Sequence, residues 1–363
     1  MKVLVGLSGG VDSSVTALLL QRAGHTVGGL LMKNWEEDDV DGVCPAESDA
    51  NDARAIAALL GIPFYGRNFA AEYWDGVFEH FLAELKAGRT PNPDILCNRE
   101  VKFRTFVEHA QDLGYERIAT GHYARLRRQD SQVELLRGVD AGKDQSYFLH
   151  ALDQAQLAVA EFPVGHLWKR EVRQIATEAG LPTSAKRDST GICFIGERNF
   201  DPFIARYIAP NPGPMRTPEG ELLGEHRGLQ FYTLGQRGGL NIGGRRGGSG
   251  EPWFVAAKSL ADNTLIVVQG EHPALYGQRL RSEAINWIAG AAPAAAFECT
   301  AKIRYRQQDQ ACHVRLRSDG GVDVEFAQRQ RAITPGQSIV FYAGEVCLGG
   351  GVIAASDALL GGL

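Results

Sequence analysis

Cysteine is scarce in this chain: six residues among 363, none of them in a C-x-x-C pair. So few thiols over that length cannot form the dense framework of a disulfide scaffold. Cys299, Cys312 and His313 lack the paired spacing of a structural zinc site, so no metal site is expected. No apolar run is long enough to span a membrane. Met1-Lys2-Val3-Leu4 leads straight into a strand-like segment, which leaves no room for a signal or transit peptide. A cytoplasmic protein with no membrane partner is the resulting expectation. Excess positive charge is lacking as well. A formal net charge of −5 excludes coating nucleic acid through bulk charge, yet leaves room for a local basic patch. With 44% hydrophobic and 22% charged residues, disorder is not the default, and the length suffices for two or three domains.

From Asn34 to Asp52 there is neither Lys nor Arg, against eight acidic residues. This run reads as a solvated loop and the first turn of a helix, where acids suit the dipole, rather than as a magnesium site. Around it the chain alternates. Val3-Leu4-Val5 is a buried strand, Val27 to Met32 a second, and Ile62-Pro63-Phe64-Tyr65 begins a third. Helical spacing runs from Ser14 to Gly24, from about Ser48 to Leu60, and from Phe69 to Lys86. Such alternation to about residue 120 predicts an α/β domain, a doubly wound parallel sheet with helices on both faces. Normal helices are absent from Asn211 to Gly250, which is dense in Gly and Pro. From Cys299 onward short alternating segments recur, among them 302–306, 313–317, 322–326 and 339–342, and predict a small β-barrel. The expected division is residues 1–205, 206–272 and 273–363.

Two common phosphate loops are missing: a Walker A loop and the dinucleotide pattern G-x-G-x-x-G. In their place Gly6-Leu7-Ser8-Gly9-Gly10-Val11-Asp12-Ser13 joins the first strand to the first helix. Glycines let backbone N–H groups approach an anion, and a helix N-terminus adds unpaired donors and partial positive charge. This stretch resembles the S-G-G-x-D-S loop of ATP pyrophosphatases, which cleave ATP to AMP and pyrophosphate and activate a substrate oxygen with the AMP. A second stretch, Thr90-Pro91-Asn92-Pro93-Asp94-Ile95-Leu96-Cys97-Asn98, is stiffened by two prolines. Asn98 would cap a helix running into Lys102 and Phe103. Cys97 would then sit at a helix N-terminus near Arg99 and Lys102, an environment that lowers a thiol pKa, with Asp94 as a proton carrier. In a third stretch, Asp188 to Gly196, Cys193 lies between apolar neighbours as a core residue would.

Taken together, the three stretches resemble the tRNA-specific 2-thiouridylases of the MnmA type. The likeness extends through Met32-Lys33-Asn34-Trp35, Gly121-His122-Tyr123-Ala124, Lys143-Asp144-Gln145-Ser146-Tyr147, Tyr232 to Arg237, Lys302 to Tyr305 and Cys347 to Gly351. Gly238 departs from it, where many relatives carry Lys. The resemblance implies ATP, with Mg2+, as co-substrate and the anticodon stem-loop of a tRNA as partner. It also implies a persulfide donor such as a cysteine desulfurase or sulfur-relay protein. Gly6 to Ser13, Met32 and Gly121 would hold the nucleotide. Asn92, Pro93 and Asp94 would meet a flipped uridine, as chemistry on a stacked base requires. Cys193 would carry the persulfide, Cys97 would release sulfur through a transient disulfide, and Asp94 would move the proton. His122, Lys143, Asp144, Gln145, Arg304, Tyr305 and Gln337 would touch tRNA. Seven basic against four acidic residues in 299–331 would supply a basic face. Cys44, Cys299, Cys312 and Cys347 are expected to matter for stability alone. An amidating adenylating ligase would need neither thiol, and a non-catalytic RNA-binding module would tolerate the loss of both.

Overall fold

The computed structural model describes residues 1–36, 46–130, 132–188, 200–243 and 250–358. The N-terminal sheet is built from β1 (Lys2–Gly6), β2 (Thr26–Lys33), β3 (Phe64–Asn68) and β4 (Arg117–Ala119). The hairpin β5 (Ala124–Gln129) and β6 (Gln132–Arg137) follows, and β7 (Ala160–Glu161) completes the sheet in the order β3-β2-β1-β4-β7. All four pairings are parallel. Val3, Leu4 and Val5 are fully buried, as a strand covered on both faces requires. Helix Val11–Arg22 ends at Gly24, φ +81°, where Gly24 N–H bonds to Gln21 O and His25 N–H to Leu20 O. Only a residue at ease in the left-handed region closes a helix this way.

The second sheet comprises β8 (Gly213–Arg216), β9 (Leu222–His226), β10 (Trp253–Ser259) and β11 (Thr264–Gln269), ordered β10-β11-β8-β9. The third is a closed barrel of β12 (Tyr276–Ser282), β14 (Ala296–Lys302), β15 (Gln310–Leu316), β16 (Val322–Arg331), β17 (Ser338–Ala343) and β18 (Val346–Ser356), with the short β13 (Asn286–Trp287) paired to β18. Pairing of β12 with both β16 and β18 closes the ring and removes free edges. Parallel α/β domain, central β unit and C-terminal barrel are the expected fold class. Two features differ from the sequence reading. The 302–306 segment leaves the ladder after Lys302, and Arg304 and Tyr305 occupy a turn. The hairpin β5–β6, from within the N-terminal part of the chain, pairs with β18 through Val346↔Leu136 and Cys347↔Leu135.

That pairing stitches the N-terminal and barrel portions together. Tyr147 OH donates to Ser338 O at 2.8 Å, Gln154 Nε2 to Ile288 O at 2.7 Å, and Arg137 pairs with Asp309 at 2.6 Å. One hydrophobic cluster runs through the N-terminal, central and barrel parts, from Leu4 and Cys97 through Val255 to Val340 and Tyr342.

Candidate active site

In the sheet order, the connection leaving β1 goes to β2 on one side, and β4 lies on the other. Ligands in open parallel sheets bind at the carboxyl ends of strands where the order switches in this way. The loop Leu7 to Gly10 stands at that end of β1, and Thr120 to Tyr123 at that end of β4. Gly9 has φ +70°, and a Cβ there would fall 2.4 Å from Asp49 O. A Cβ on Gly121 would lie 2.9 Å from Ser13 N and the backbone carbon of Asp12. Both glycines are therefore required by close backbone approach. Ser8 Oγ and Ser13 Oγ are 3.3 Å apart, and Ser14 Oγ donates to Gly10 O at 2.7 Å. Met32, at the end of β2, reaches within 3.1 Å of where a Gly6 Cβ would be.

Asp12, in the first turn of helix Val11–Arg22, is the centre of a charged network. Tyr123 OH donates to its Oδ1 at 2.7 Å, and Lys169 Nζ lies 2.8 Å from both carboxylate oxygens. Lys169 also bonds to Asp188 at 2.7 Å, and Asp188 takes Lys143 at 2.7 Å and Arg173 at 2.9 Å. Burial alone would raise Asp188, but hydrogen bonds from Lys143 and Lys169 outweigh it and hold the carboxyl at about 2. Burial, then the Asp12 charge, pushes the Tyr123 hydroxyl far above the usual tyrosine range, so it remains a donor. Behind the loop, Lys186 pairs with Asp49 and Asp52, two members of the acidic run. Three cations thus surround two carboxylates beside a loop of backbone donors, an arrangement able to take a polyanion. Sequence reading missed Lys169, Tyr123 and Asp188 as site residues. Tyr123 and Asp188 stand inside or beside quoted motifs, whereas Lys169 carries no local signal.

The Cys97 stretch folds differently from the expected cap. Asn92 is the N-cap, its Oδ1 accepting Asp94 N–H at 3.2 Å, and Pro93 opens the helix. Helical structure then runs without a break through Cys97–Thr105 to Asp112. Cys97 therefore sits one turn inside and is fully buried. Asn98, also buried, donates to Phe148 O at 3.1 Å instead of capping. Asp94 is half-buried in the first turn. Further along this helix Phe103 packs on His122 and Phe106 beside Gly6, which brings the helix against both strand ends. Cys193 and Cys44 lie outside the described residues.

The residues expected at tRNA occupy varied positions. His122 is buried, with Nδ1 2.7 Å from Thr120 Oγ1; burial, then Lys102, keeps it neutral. Lys143 is half-exposed on Asp188. Asp144 is buried and accepts from Gly138 N–H, Ser146 N–H and Ser146 Oγ at 3.0–3.1 Å. Gln145 is paired with the Tyr123 backbone in both directions, at 2.9 and 2.8 Å. Arg304 donates to Leu234 O at 2.8 Å and to Ala332 O and Thr334 Oγ1 at 3.2 Å, bridging central domain and barrel. Tyr305 packs on Phe148 with ring centroids 4.3 Å apart. Gln337 Nε2 donates to Thr90 O at 2.7 Å, so the barrel holds the start of the Asn92–Asp94 strip. Within 299–331 several charges are paired: Lys302 with Asp309, Arg317 with Asp319, and Asp323 with Arg281. Among the described residues no helix is long and apolar enough to cross a membrane.

Residues 1–197 match the tRNA methyl transferase HUP domain, 201–269 the tRNA methyl transferase PRC-barrel domain, and 277–353 the aminomethyltransferase beta-barrel domain. The tRNA-specific 2-thiouridylase MnmA of Chromohalobacter salexigens is 59% identical over 356 residues, covering 98% of this chain and 93% of that protein. The protein of the same name from Methylococcus capsulatus is 58% identical over 354 residues, 97% of this chain and 95% of its own length. Among solved structures, the NMN synthetase of Francisella tularensis matches at 21% identity and a TM-score of 0.32, over 52% of this chain and 66% of that one. That likeness is too distant to bear on function.

Proposed function

The chain belongs to the tRNA-specific 2-thiouridylase family, enzymes that transfer sulfur to tRNA, and from that premise we propose the following division of labour. ATP, accompanied by Mg2+, binds at the Gly6–Ser13 loop, with Met32 and Gly121 bordering the nucleotide. A uracil C2 carbonyl has no leaving group; attack of its oxygen on the α-phosphorus supplies one and expels pyrophosphate. Loop amides and Lys169 take up the charge that develops on the departing group. Sulfur then arrives as a persulfide on Cys193, delivered by a cysteine desulfurase or a sulfur-relay protein. Cys97 attacks the persulfide's inner sulfur, which frees the outer sulfur for C2 and leaves a Cys97–Cys193 disulfide. Displacement of AMP at C2 gives the 2-thiouridine at the wobble position.

Full burial suits Cys97 to an intermediate that must exclude water. Asp94, in the first turn of the same helix, is the proton carrier, and Asn92 and Pro93 border the flipped base. Lys143, Gln145 and Tyr305 approach the anticodon stem-loop. Asp144, Arg304, Gln337 and His122 support that face from behind, since their polar atoms bond to neighbouring protein groups. Residues 1–205 carry the chemistry, 206–272 connect, and 273–363 contribute tRNA affinity.

The observation carrying this reading is the packing of the Cys97 helix against the strand ends that bear the nucleotide loop, through Phe103 on His122 and Phe106 beside Gly6. Cys97→Ser should retain AMP and pyrophosphate formation while 2-thiouridine disappears from the tRNA, read by nucleoside mass spectrometry. Wild-type 2-thiouridine in that variant would overturn the assignment.

A further inference from the structure

Two of the cysteines expected to matter for stability alone face each other on neighbouring strands of the barrel. Cys299 on β14 and Cys312 on β15 are directly opposite in the antiparallel ladder, and their sulfurs are 3.7 Å apart. We propose that this pair is a separate dithiol site, one that closes reversibly to a cross-strand disulfide on reaction with low-molecular-weight disulfides.

Backbone geometry permits the bond. Directly opposed residues of an antiparallel pair have Cα atoms about 4.5 or 5.5 Å apart, and both spacings fall in the roughly 4.4–6.8 Å window of disulfides. The sulfurs must close from 3.7 Å to a bond of about 2.05 Å, which side-chain rotation supplies without moving a strand.

Access is asymmetric. Cys312 is buried, and its S–H is directed at Cys299 O, 3.6 Å away. Cys299 is half-buried, and both line an open cavity of about 650 Å³ with Ala311 and Phe326. The hydrogen bond to Cys299, then burial, raises the Cys312 thiol. The more accessible Cys299 loses its proton, attacks one sulfur of R–S–S–R and expels the first RS⁻. Cys312 then loses its proton, attacks Cys299 Sγ in the mixed disulfide and expels the second RS⁻. Overall, two cysteine thiols and R–S–S–R give one protein disulfide and two R–SH. Two electrons pass from the cysteine sulfurs to the reagent, and the two thiol protons end on its sulfurs. Excess small thiol reverses every step. Cys347 provides an internal control, since burial pushes its thiol to about 12 and it is 1% exposed.

The site has a structural consequence. β14 ends at Lys302, directly before the turn that carries Arg304 and Tyr305. A bond from β14 to β15 would brace the strand leading into the contact between barrel and central domain.

The test uses the folded full-length chain, incubated with cystamine and separately with glutathione disulfide, then alkylated and mapped by mass spectrometry. A Cys299–Cys312 linkage, lighter by two hydrogens and reversed by dithiothreitol, is expected, with Cys347 alkylated only after denaturation. In Cys312→Ser the reaction should stall as a mixed disulfide on Cys299, and in Cys299→Ser no adduct should form on Cys312. Thermal unfolding of the oxidised chain should shift to higher temperature. A mixed disulfide that persists on Cys299 in the unsubstituted chain would overturn the proposal. So would two unreacted thiols after incubation with both reagents, or a linkage that forms only in denaturant.

Discussion

Replacing Lys169 by Met removes the cation at the centre of the charged network while keeping most of the side chain's volume. Its ammonium contacts Asp12 at 2.8 Å and Asp188 at 2.7 Å, and the side chain is only 12% exposed. In the folded variant neither carboxylate is stranded, because Asp12 retains Tyr123 and Asp188 retains Lys143 and Arg173. The stability cost is therefore that of a charge-assisted hydrogen bond, about 1.5–3 kcal/mol, and the chain still folds. The catalytic cost is larger in effect. Removing one preorganised donor to developing negative charge typically lowers kcat by roughly 10²–10³, or about 2.7–4 kcal/mol. Before ATP arrives the ammonium is already held by two carboxylates, so substrate binding gains less from it than the departing pyrophosphate does. Pyrophosphate release at saturating tRNA should accordingly show a collapsed kcat with a modest change in the KM for ATP. Lys169→Arg should recover part of the rate, since charge and donors return in a different shape. Wild-type kcat in Lys169→Met would refute the reasoning. Equal loss in the Met and Arg variants would refute the role of charge and leave only packing.

Arg304→Ala should lower the unfolding temperature, because Leu234 O and Ala332 O lose a donor shared between two domains. Calorimetry of the variant should show this alongside a raised tRNA KM and a largely preserved kcat; an unchanged melting profile would remove the bridging role. Acid should weaken the fold well above carboxylate pKa values. Burial lowers His150 to about 4 and His122 far below its ordinary 6.5. Unfolded histidines take up protons that the folded ones refuse, so stability is lost as pH falls below about 6.5. Denaturant titrations between pH 7 and pH 5 should show that slope, and His150→Leu should flatten it; a flat profile in the unsubstituted chain would contradict buried neutral imidazoles.

Features set within a few residues along the chain can be read from the sequence. The Gly6–Ser13 loop was legible because the hydroxyl hydrogen bonds that shape its turn, Ser8 to Ser13 and Ser14 to Gly10, are local. Glycine at helix ends and strand alternation were legible for the same reason, since each follows from backbone geometry. The Asn92-Pro93-Asp94 cap was present too, as an Asn before a Pro at the first helical position. The expected cap, Asn98, lies inside the helix and bonds to Phe148 O instead. Alternation from Lys302 to Arg306 reads as strand, but a strand needs a neighbour, and β17 pairs β14 only as far as Lys302. The remaining contacts join residues far apart in the chain. Lys169 meets Asp12 across 157 residues, Gln337 meets Thr90 across 247, and the β5–β6 hairpin joins a barrel far along the chain. None of these pairs has a spacing rule, because packing of whole elements brings them together. Cys299 and Cys312 show the limit most plainly: each stands just before an alternating segment, 302–306 or 313–317, and only the register of β14 against β15 puts sulfur beside sulfur. A one-residue slip would send them to opposite faces.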